Sequence, residues 1–232
     1  MTVSNLSKSF GQFSLHVPHL QIPAGQIYGL IGQNGCGKST LTSLLAGLIS
    51  PDSGKIDHHG LGQKDITFVP QKPYLMRDTV LANLIYPLKV RKLKPSAAEL
   101  DHYLELAGLQ NLRHEYAPKL SSGEAQKLAL IRAMIFSPRL IFVDETFSNM
   151  DMESQANFES YILNSQQKCP ITWVIISHQL STIKRMCDYV FYMKGGKIEE
   201  EGKTCEIFAS PNTASLKRYL EFKVLPLVPT NI

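Results

Sequence analysis

The chain has 232 residues, of which 44% are hydrophobic and 19% are charged, and its formal net charge is +4. This composition is that of a globular protein with one large core or two smaller lobes, and it excludes a disordered or fibrous chain. Apart from a short cluster at Lys89, Arg91, Lys92 and Lys94, the basic residues are dispersed, so no nucleic-acid partner is expected.

The four cysteines form no CxxC pair and no metal-like spacing with the histidines, so neither a disulfide framework nor a zinc site is expected. A reducing compartment is the simpler interpretation. The opening MTVSNLSKSF lacks a basic segment followed by an apolar run, which argues against a secretory signal. Because no apolar stretch approaches the roughly 20 residues that cross a bilayer, we expect any membrane role to come through a partner.

The first third of the chain is predicted to form short strands around a glycine-rich loop. Phe13 to Ile22 partly alternates polar and apolar residues, and the apolar run Ile27 to Ile31 leads directly into the loop. After the loop, Leu41 to Leu48 has helical periodicity and ends in a Pro-Asp-Ser-Gly turn. Ile66 to Val69 is a further buried-strand candidate.

From about Thr79 to Ser137 the signals change to helices. Three segments have helical patterns and start signals: Val80 to Leu88, Ser96 to Ala107 and Ser122 to Phe136. We interpret this part of the chain, about residues 72–138, as a helical insert.

Beyond Pro138 the chain alternates strand and helix again, which favours a parallel sheet flanked by helices. The predicted elements are strands at Leu140 to Val143 and Thr172 to Ile176, a helix from about Met152 to Lys168, and a hairpin of Tyr189 to Met193 with Lys197 to Glu200.

The glycine-rich loop GQNGCGKS, Gly32 to Ser39, matches the phosphate-loop pattern G-x-x-x-x-G-K-[ST] between a predicted strand and a predicted helix. Its glycines let successive amides converge on phosphate oxygens, and the start of the following helix adds positive potential. Lys38 is predicted at the β and γ phosphates, and the Ser39 hydroxyl on Mg²⁺. The predicted nucleotide-binding residues here are Gly32, Asn34, Gly35, Cys36, Gly37, Lys38, Ser39 and Thr40. The alternative is a chance glycine-rich turn.

Two carboxylates, Asp144 and Glu145, follow the apolar strand Leu140 to Val143. Ligands of open parallel sheets lie beyond the carboxyl ends of the strands, and adjacent strand residues point to opposite faces. We therefore predict that one carboxylate holds hydrated Mg²⁺ and the other polarises the attacking water. Taken alone, the pair would be interpreted as a solvated strand end.

Leu120-Ser-Ser-Gly-Glu124, followed by AQKLALIRAM, resembles the LSGGQ signature of ATP-binding cassette (ABC) proteins, and it lies shortly before the acidic strand as in that family. The resemblance covers nearly the whole chain. Four further residues match family motifs: Phe10 the adenine-stacking aromatic, Gln71 the Q-loop glutamine, Asp151 the D-loop aspartate and His178 the switch histidine. No guanine-reading NKxD of a GTPase is present in the sequence.

The resemblance implies an α/β P-loop NTPase fold with a RecA-like parallel-sheet core, an N-terminal antiparallel β part and an inserted α-helical subdomain. One ABC ATPase domain would span residues 1–232. Its core would cover about 1–71 and 139–210, the helical subdomain about 72–138, and a C-terminal helix and tail about 211–232.

The resemblance also implies site roles. The expected catalytic residues are Glu145, His178, Gln71 and Lys38. The expected Mg²⁺ ligands are Ser39, Gln71 and Asp144. The nucleotide, ATP, would contact Phe10, the phosphate loop, and a second subunit's Ser121, Ser122, Gly123, Glu124 and Asp151.

Several of these residues also have plainer interpretations. Ser121-x-x-Glu124 satisfies a capping box, and Asp151 is placed to cap the helix that begins near Met152. His178 alone would be interpreted as a histidine at a strand end, and Phe10 alone as a core residue.

The sequence departs from the family pattern at four positions. Thr146 stands where the family usually has proline, and Phe147 where it often has a small hydroxyl residue. Ser122 replaces the second signature glycine, and Glu124 replaces glutamine. Unless Glu124 is engaged in the capping box, its charge is expected to weaken the contact with phosphate.

The function implied is ATP hydrolysis that drives solute transport through separate membrane subunits, with import of a small solute such as tungstate, molybdate or phosphate. The implied partners are a second copy or a second ABC subunit, a permease that docks on the helical subdomain, and an extracytoplasmic solute-binding protein. The expected location is peripheral, on the cytoplasmic face of the cell membrane. Alternatives are an exporter, a lipoprotein-release or cell-division ATPase, a soluble non-transport ABC ATPase, and a nucleotide-binding scaffold with little turnover.

Overall fold

The structure, a computed structural model, describes residues 1–224 of the 232-residue chain. The chain divides into two compact units. Unit 1 contains Met1–Gly60 together with the described residues from Val174 onward, and unit 2 contains Leu61–Trp173. The boundaries predicted for the core and the helical subdomain remain a prediction, and the tail predicted beyond Val224 lies outside the described residues.

An antiparallel sheet in unit 1 confirms the N-terminal β part. It has the order β2, β1, β4, with β1 paired to both neighbours. Leu15 and Val17 of β2 are fully buried, whereas the alternating neighbours Ser14 and His16 are exposed. This alternation places one face of the sheet in the core. The strands are β1 (Thr2–Phe10), β2 (Phe13–Gln21) and β4 (Ser53–Asp57).

Three more strands of unit 1 surround the start of the phosphate loop. β3 pairs in parallel with β8, which pairs in antiparallel fashion with β9. All six residues of β3 are buried, as expected for a parallel strand covered on both faces. The strands are β3 (Ile27–Gly32), β8 (Tyr189–Lys194) and β9 (Lys197–Lys203). The helices of unit 1 are α1 (Lys38–Leu45), α6 (Leu180–Met186), α7 (Thr204–Ala209) and α8 (Ala214–Val224).

Unit 2 combines two parallel strands with four helices. β5 and β6 pair in parallel register, with Ile66 opposite Leu140 and Val69 opposite Val143. The helices begin at side-chain caps, since Thr79 accepts from the Ala82 amide at 3.1 Å and Ser96 from the Glu99 amide at 3.1 Å. The elements are β5 (Ile66–Val69), β6 (Leu140–Asp144), α2 (Val80–Val90), α3 (Ala97–Leu106), α4 (Ser122–Met134) and α5 (Met152–Gln166).

The predicted mixed α/β organisation is confirmed, with some differences in the bounds. The predicted strand Thr172 to Ile176 is β7 (Thr172–Ile176), which crosses the boundary between the units. The first helix, predicted at Leu41 to Leu48, begins three residues earlier at Lys38. Its N-cap is Gly37, whose left-handed conformation apolar periodicity does not reveal. Within residues 1–224, no helix has the length and apolar character needed to cross a bilayer.

Candidate functional site

The phosphate loop has the backbone of an anion-binding turn. Gly35 and Gly37 have φ angles of 76° and 107°, in the region that favours glycine. A Cβ on Gly37 would also lie 2.7 Å from Phe13 Cζ. Gly37 is the N-cap of α1 and provides no side-chain acceptor to the helix. The first amides of α1 have no acceptor within the helix, so they form a site suited to phosphate oxygens.

Lys38 lies inside the loop rather than extended from it. Its side chain is buried, and Nζ donates to the carbonyl oxygens of Gly32 at 2.9 Å and Gln33 at 3.0 Å. These two bonds hold the ammonium group within the loop that is predicted to bind the β and γ phosphates. The loop therefore presents a positioned positive charge together with the amides at the start of α1.

Cys36 is a buried residue of the loop, with its Sγ 3.9 Å from Lys38 Nζ. Burial raises the pKa of the thiol above its usual range, although the nearby Lys38 charge acts in the opposite direction. The thiol is therefore protonated at neutral pH and is a poor nucleophile. Cys36 is therefore a packed residue of the loop and not a reactive thiol.

A cavity of about 440 Å³ opens beside the loop within unit 1. Gly32, Gln33 and Asn34 form one side, and His178, which follows β7, forms another. The structure therefore brings the predicted switch histidine and the beginning of the phosphate loop to one cavity. Side chains of β8 and α8 complete its wall: Tyr192, Lys194, Ser215, Arg218, Tyr219 and Phe222.

Phe10, the predicted adenine platform, lies at the end of β1 and is 51% exposed. The Lys8 ammonium lies 5.5 Å from the centre of its ring. Phe10 is not part of the core, and it does not line the cavity beside the loop. A large exposed aromatic at this position is available for stacking.

The two carboxylates of unit 2 differ in backbone and exposure. Asp144 is the last residue of β6 and is buried, whereas Glu145 is partly exposed and has a left-handed φ of 51°. We predicted opposite directions from strand alternation, but β6 ends before Glu145 and the left-handed turn sets its direction. Such a conformation in a non-glycine residue costs roughly 1–3 kcal/mol and is concentrated at functional sites.

The signature segment forms the N-terminus of α4 and contains the predicted capping box. Ser121 Oγ accepts from the Glu124 amide at 3.3 Å, and Glu124 Oε2 accepts from the Ser121 amide at 2.8 Å and hydroxyl at 2.7 Å. These bonds to Ser121, the hydroxyl first, lower the pKa of Glu124. The Glu124 carboxylate is therefore engaged in hydrogen bonds at the helix cap. Gly123 is packed closely, since a Cβ there would lie 3.0 Å from the Asn149 oxygen.

Asp151 caps α5, as its plainer interpretation predicted. It accepts from the Ser154 amide at 2.8 Å and hydroxyl at 2.7 Å, and these bonds, the amide first, lower its pKa to about 2. Lys127 on α4 lies 3.6 Å from the Asp151 carboxylate and donates to Ser154 Oγ at 3.2 Å. The signature helix is thereby joined to the predicted D-loop.

Gln71, the predicted Q-loop residue, follows β5 and is exposed. Its carbonyl oxygen accepts a 3.0 Å hydrogen bond from Gln126 on α4. Sequence reasoning missed Gln126, and it also missed Arg132 and Asn83, which hold the segment after Gln71. Each of these three is a polar residue on the otherwise apolar side of a predicted helix, and this pattern could have indicated a buried hydrogen bond.

The predicted residues are thus divided between the two units. In unit 1 are Phe10, the phosphate loop and His178. In unit 2 are Gln71, Ser121, Ser122, Gly123, Glu124, Asp144, Glu145 and Asp151.

Comparison with known proteins places this arrangement in a family. A protein-family model described as ABC transporter matches residues 15–148. The tungstate uptake system ATP-binding protein TupC of Peptoclostridium acidaminophilum is 35% identical over 86% of this chain and 97% of its own length. The sulfate/thiosulfate import ATP-binding protein CysA of Mesostigma viride is 33% identical over 91% of this chain. The chain spans 64% of that longer relative.

Among solved structures, the dimeric post-hydrolysis state of the ATP-binding cassette MJ0796 bound to ADP and Pi matches with a TM-score of 0.77. It is 23% identical, and the match covers 88% of this chain and 99% of that one. At this identity the similarity establishes the fold.

Proposed function

Since this chain belongs to the ABC transporter family as an ATP-binding protein, we propose that it hydrolyses ATP to drive import of a small solute through separate membrane subunits. The observation that carries the proposal is the phosphate loop. Its left-handed glycines, held Lys38 ammonium and uncapped helix start fit the triphosphate of a nucleotide. On this basis Phe10 stacks on adenine, and the amides at the start of α1 bind the phosphates.

Mg²⁺ fits the residues that the family pattern assigns to it. The ion keeps several waters and needs few protein ligands, so a hydroxyl and one carboxylate are sufficient. Ser39 at the start of α1 and buried Asp144 at the end of β6 would hold it, with Gln71 as a further ligand. Bound there, Mg²⁺ would neutralise negative charge on the phosphates.

Hydrolysis requires a base for the attacking water, and we assign this role to Glu145. It lies in a left-handed turn directly after β6, and its partial exposure allows water to reach it. The Glu145 carboxylate would accept a proton from the water while His178 and Lys38 stabilise the phosphoryl group. This chemistry depends on positioning and charge neutralisation in an in-line transfer.

A second copy, or a second ABC subunit, would complete the nucleotide site. The signature N-terminus is available for this contact, because Ser121 and Ser122 are exposed and Glu124 is occupied by the capping box. A helix start with exposed amides fits the γ-phosphate held by another subunit's loop. The structure of MJ0796 is described as dimeric, which supports a two-fold assembly in this fold.

The permease partner would dock on the helical part of unit 2. Exposed aromatic residues are present there, including Tyr74 at 77% and Tyr86 at 49% exposure. Exposed aromatics of this kind mark protein contact surfaces. Docking on such a permease would place the chain at the cytoplasmic face of the membrane as a peripheral subunit.

For the solute, the two relatives described above favour an oxyanion. TupC is described as part of a tungstate uptake system and CysA as a sulfate/thiosulfate import protein. Selection of the solute would belong to the permease and to an extracytoplasmic solute-binding protein. We therefore propose tungstate, molybdate, sulfate or phosphate as candidates to test with the assembled transporter.

The function is tested by ATP turnover of the chain assembled with its membrane subunits. A Glu145→Gln variant is expected to bind ATP while its turnover falls roughly 10²–10⁴-fold, the range for loss of a general base. Equal turnover in the wild-type chain and the variant would remove Glu145 as the base. Absence of turnover in the wild-type assembly with every candidate oxyanion would contradict the proposed function.

A further inference from the structure

A buried glutamine of the signature helix holds the backbone of the Q-loop. Gln126 on α4 is 1% exposed, and its Nε2 donates to the Gln71 carbonyl oxygen at 3.0 Å. The bond joins residues 55 positions apart in sequence. Because an amide needs its NH₂ group to reach a carbonyl oxygen, this bond fixes the orientation of the Gln126 side chain.

Arg132, six residues further along α4, holds the same segment at a second point. Its guanidinium donates to the Tyr74 carbonyl oxygen at 2.7 Å and to Asn83 Oδ1 at 3.1 Å. Both acceptors are neutral, and burial lowers the pKa of Arg132 from its ordinary value. The two charge-assisted bonds therefore serve to hold the loop.

Asn83 on α2 closes the arrangement. It is fully buried, its Oδ1 accepts from the Met76 amide at 2.9 Å, and its Nδ2 donates to the Met76 and Thr79 carbonyl oxygens at 3.2 and 3.0 Å. The segment from Gln71 to Met76 has no regular secondary structure but is anchored at three residues. We call Asn83, Gln126 and Arg132 the loop clasp.

The N-terminal half of α4, which contains Gln126, is also tied to the predicted nucleotide-contacting segments. Its first turn contains the capping box of Ser121 and Glu124, and Lys127 beside Gln126 reaches the Asp151 carboxylate at 3.6 Å. A single helix therefore contacts the signature, the D-loop cap and the Q-loop backbone within unit 2. A rigid helix with side-chain bonds at both ends is suited to transmit a displacement.

We propose that the loop clasp makes Gln126 and Arg132 positioning residues, which move the Gln71–Met76 segment with the signature helix and so couple ATP hydrolysis to the membrane partner. Tyr74 would be the point of contact, because its side chain is exposed while its carbonyl oxygen is held by Arg132. This inference rests on the proposed transport function. It assigns a mechanical role to side chains that do not touch the nucleotide.

The carbonyl end of the Gln126 amide makes no bond to the loop. Gln126 Oε1 is buried and has no hydrogen-bond partner among the described residues 1–224, so the amide holds the Gln71 backbone through Nε2.

The first experiment measures hydrogen–deuterium exchange in the full chain without partners. Gln126→Met keeps the volume and linear shape of the side chain but removes both polar atoms. Exchange of the amides in residues 72–76 is expected to rise about fivefold, the factor given by loss of one net hydrogen bond, with little change elsewhere. The matched control is Gln110→Met, since Gln110 is an exposed glutamine of unit 2. Unchanged exchange in Gln126→Met would overturn the clasp.

The second experiment uses the chain assembled with its membrane subunits in lipid. Stimulation by transported solute is expected to fall about fivefold in both Gln126→Met and Arg132→Lys. Arg132→Lys, which acts at Tyr74 and not at Gln71, is expected to keep the basal kcat and the KM for ATP within about twofold. The two substitutions act on one segment, so their combined effect is expected to be less than the product.

Retained stimulation, or stimulation and basal turnover that fall in equal proportion, would overturn the proposed coupling role. A failure of the proposed function is distinguishable, because the wild-type assembly itself would then show no solute-stimulated turnover. The exchange result on the isolated chain does not depend on that outcome.

Discussion

Replacing the three positive-φ glycines of the phosphate loop one at a time by alanine separates backbone strain from steric overlap. A Cβ at Gly35 meets nothing within 4 Å, so Gly35→Ala introduces strain alone. A Cβ at Gly37 would lie 2.7 Å from Phe13 Cζ and 3.0 Å from Met193 Cε, both at the ends of side chains that can move. At Gly32, a Cβ would lie 2.2 Å from the Met193 carbonyl oxygen, a main-chain atom of β8.

These distances set the expected order of stability. A left-handed conformation costs alanine roughly 1–2 kcal/mol, and overpacking adds roughly 1–3 kcal/mol where neighbours must shift. We therefore expect losses of about 1 kcal/mol for Gly35→Ala, about 2–3 for Gly37→Ala and about 3–5 for Gly32→Ala. For a chain of this length each kcal/mol lowers Tm by roughly 2–4 °C.

Thermal unfolding of the purified variants, together with ATP binding, tests this order. We expect all three substitutions to weaken ATP binding, because each changes the path of the loop amides. The informative comparison is between Gly35→Ala and Gly32→Ala, which both have a positive φ but differ in overlap with β8. Equal Tm values for these two variants would refute the account of how β8 constrains the loop.

Three further predictions follow from individual contacts. Ser121→Ala removes the cap of α4 and should lower the free energy of unfolding by about 1 kcal/mol in denaturant titrations. Ser122 is an exposed neighbour whose side chain forms no hydrogen bond within residues 1–224, so the control Ser122→Ala should change the free energy of unfolding little. The pKa values of Glu124 and Asp151 in the folded chain lie below the ordinary values of 4.5 and 3.8, and that of Asp151 is about 2. The ionised carboxylates therefore stabilise the folded chain above pH 4.5 and 3.8, and this stabilisation is lost as pH falls through each lowered pKa. Acid titration monitored by circular dichroism should show this loss of stability. Phe10→Ala should leave stability within about 0.5 kcal/mol but weaken ATP binding roughly 5- to 100-fold if adenine stacks there, as calorimetry would measure.

Much of the fold was predictable because its strands are continuous apolar runs. The bounds predicted for β5 and β7 are those observed, and the phosphate loop was placed between the correct strand and helix. β1 and β4 were not identified as separate strands, since TVSNLSKSF and SGKID contain mostly polar residues. Their pairing depends on partners that are distant in sequence, which local patterns do not contain.

The site was predictable where a motif requires a local backbone conformation, as in the phosphate loop and the capping box. It was less predictable where side chains act across long sequence separations. Gln126 and Asn83 are polar residues in apolar helical patterns, and their partners lie in a loop with no regular structure. The left-handed turn at Glu145 was likewise invisible, because it depends on the packing around the end of β6.

The most direct measurement is the mass of the Glu145→Gln chain in solution with and without ATP and Mg²⁺, by light scattering, with Lys38→Ala as the control. The proposed site is completed by the signature of a second subunit, so ATP should convert Glu145→Gln to a dimer while a chain that also contains Lys38→Ala remains monomeric. A monomeric Glu145→Gln chain at saturating ATP, even with its membrane partner present, would contradict the shared nucleotide site.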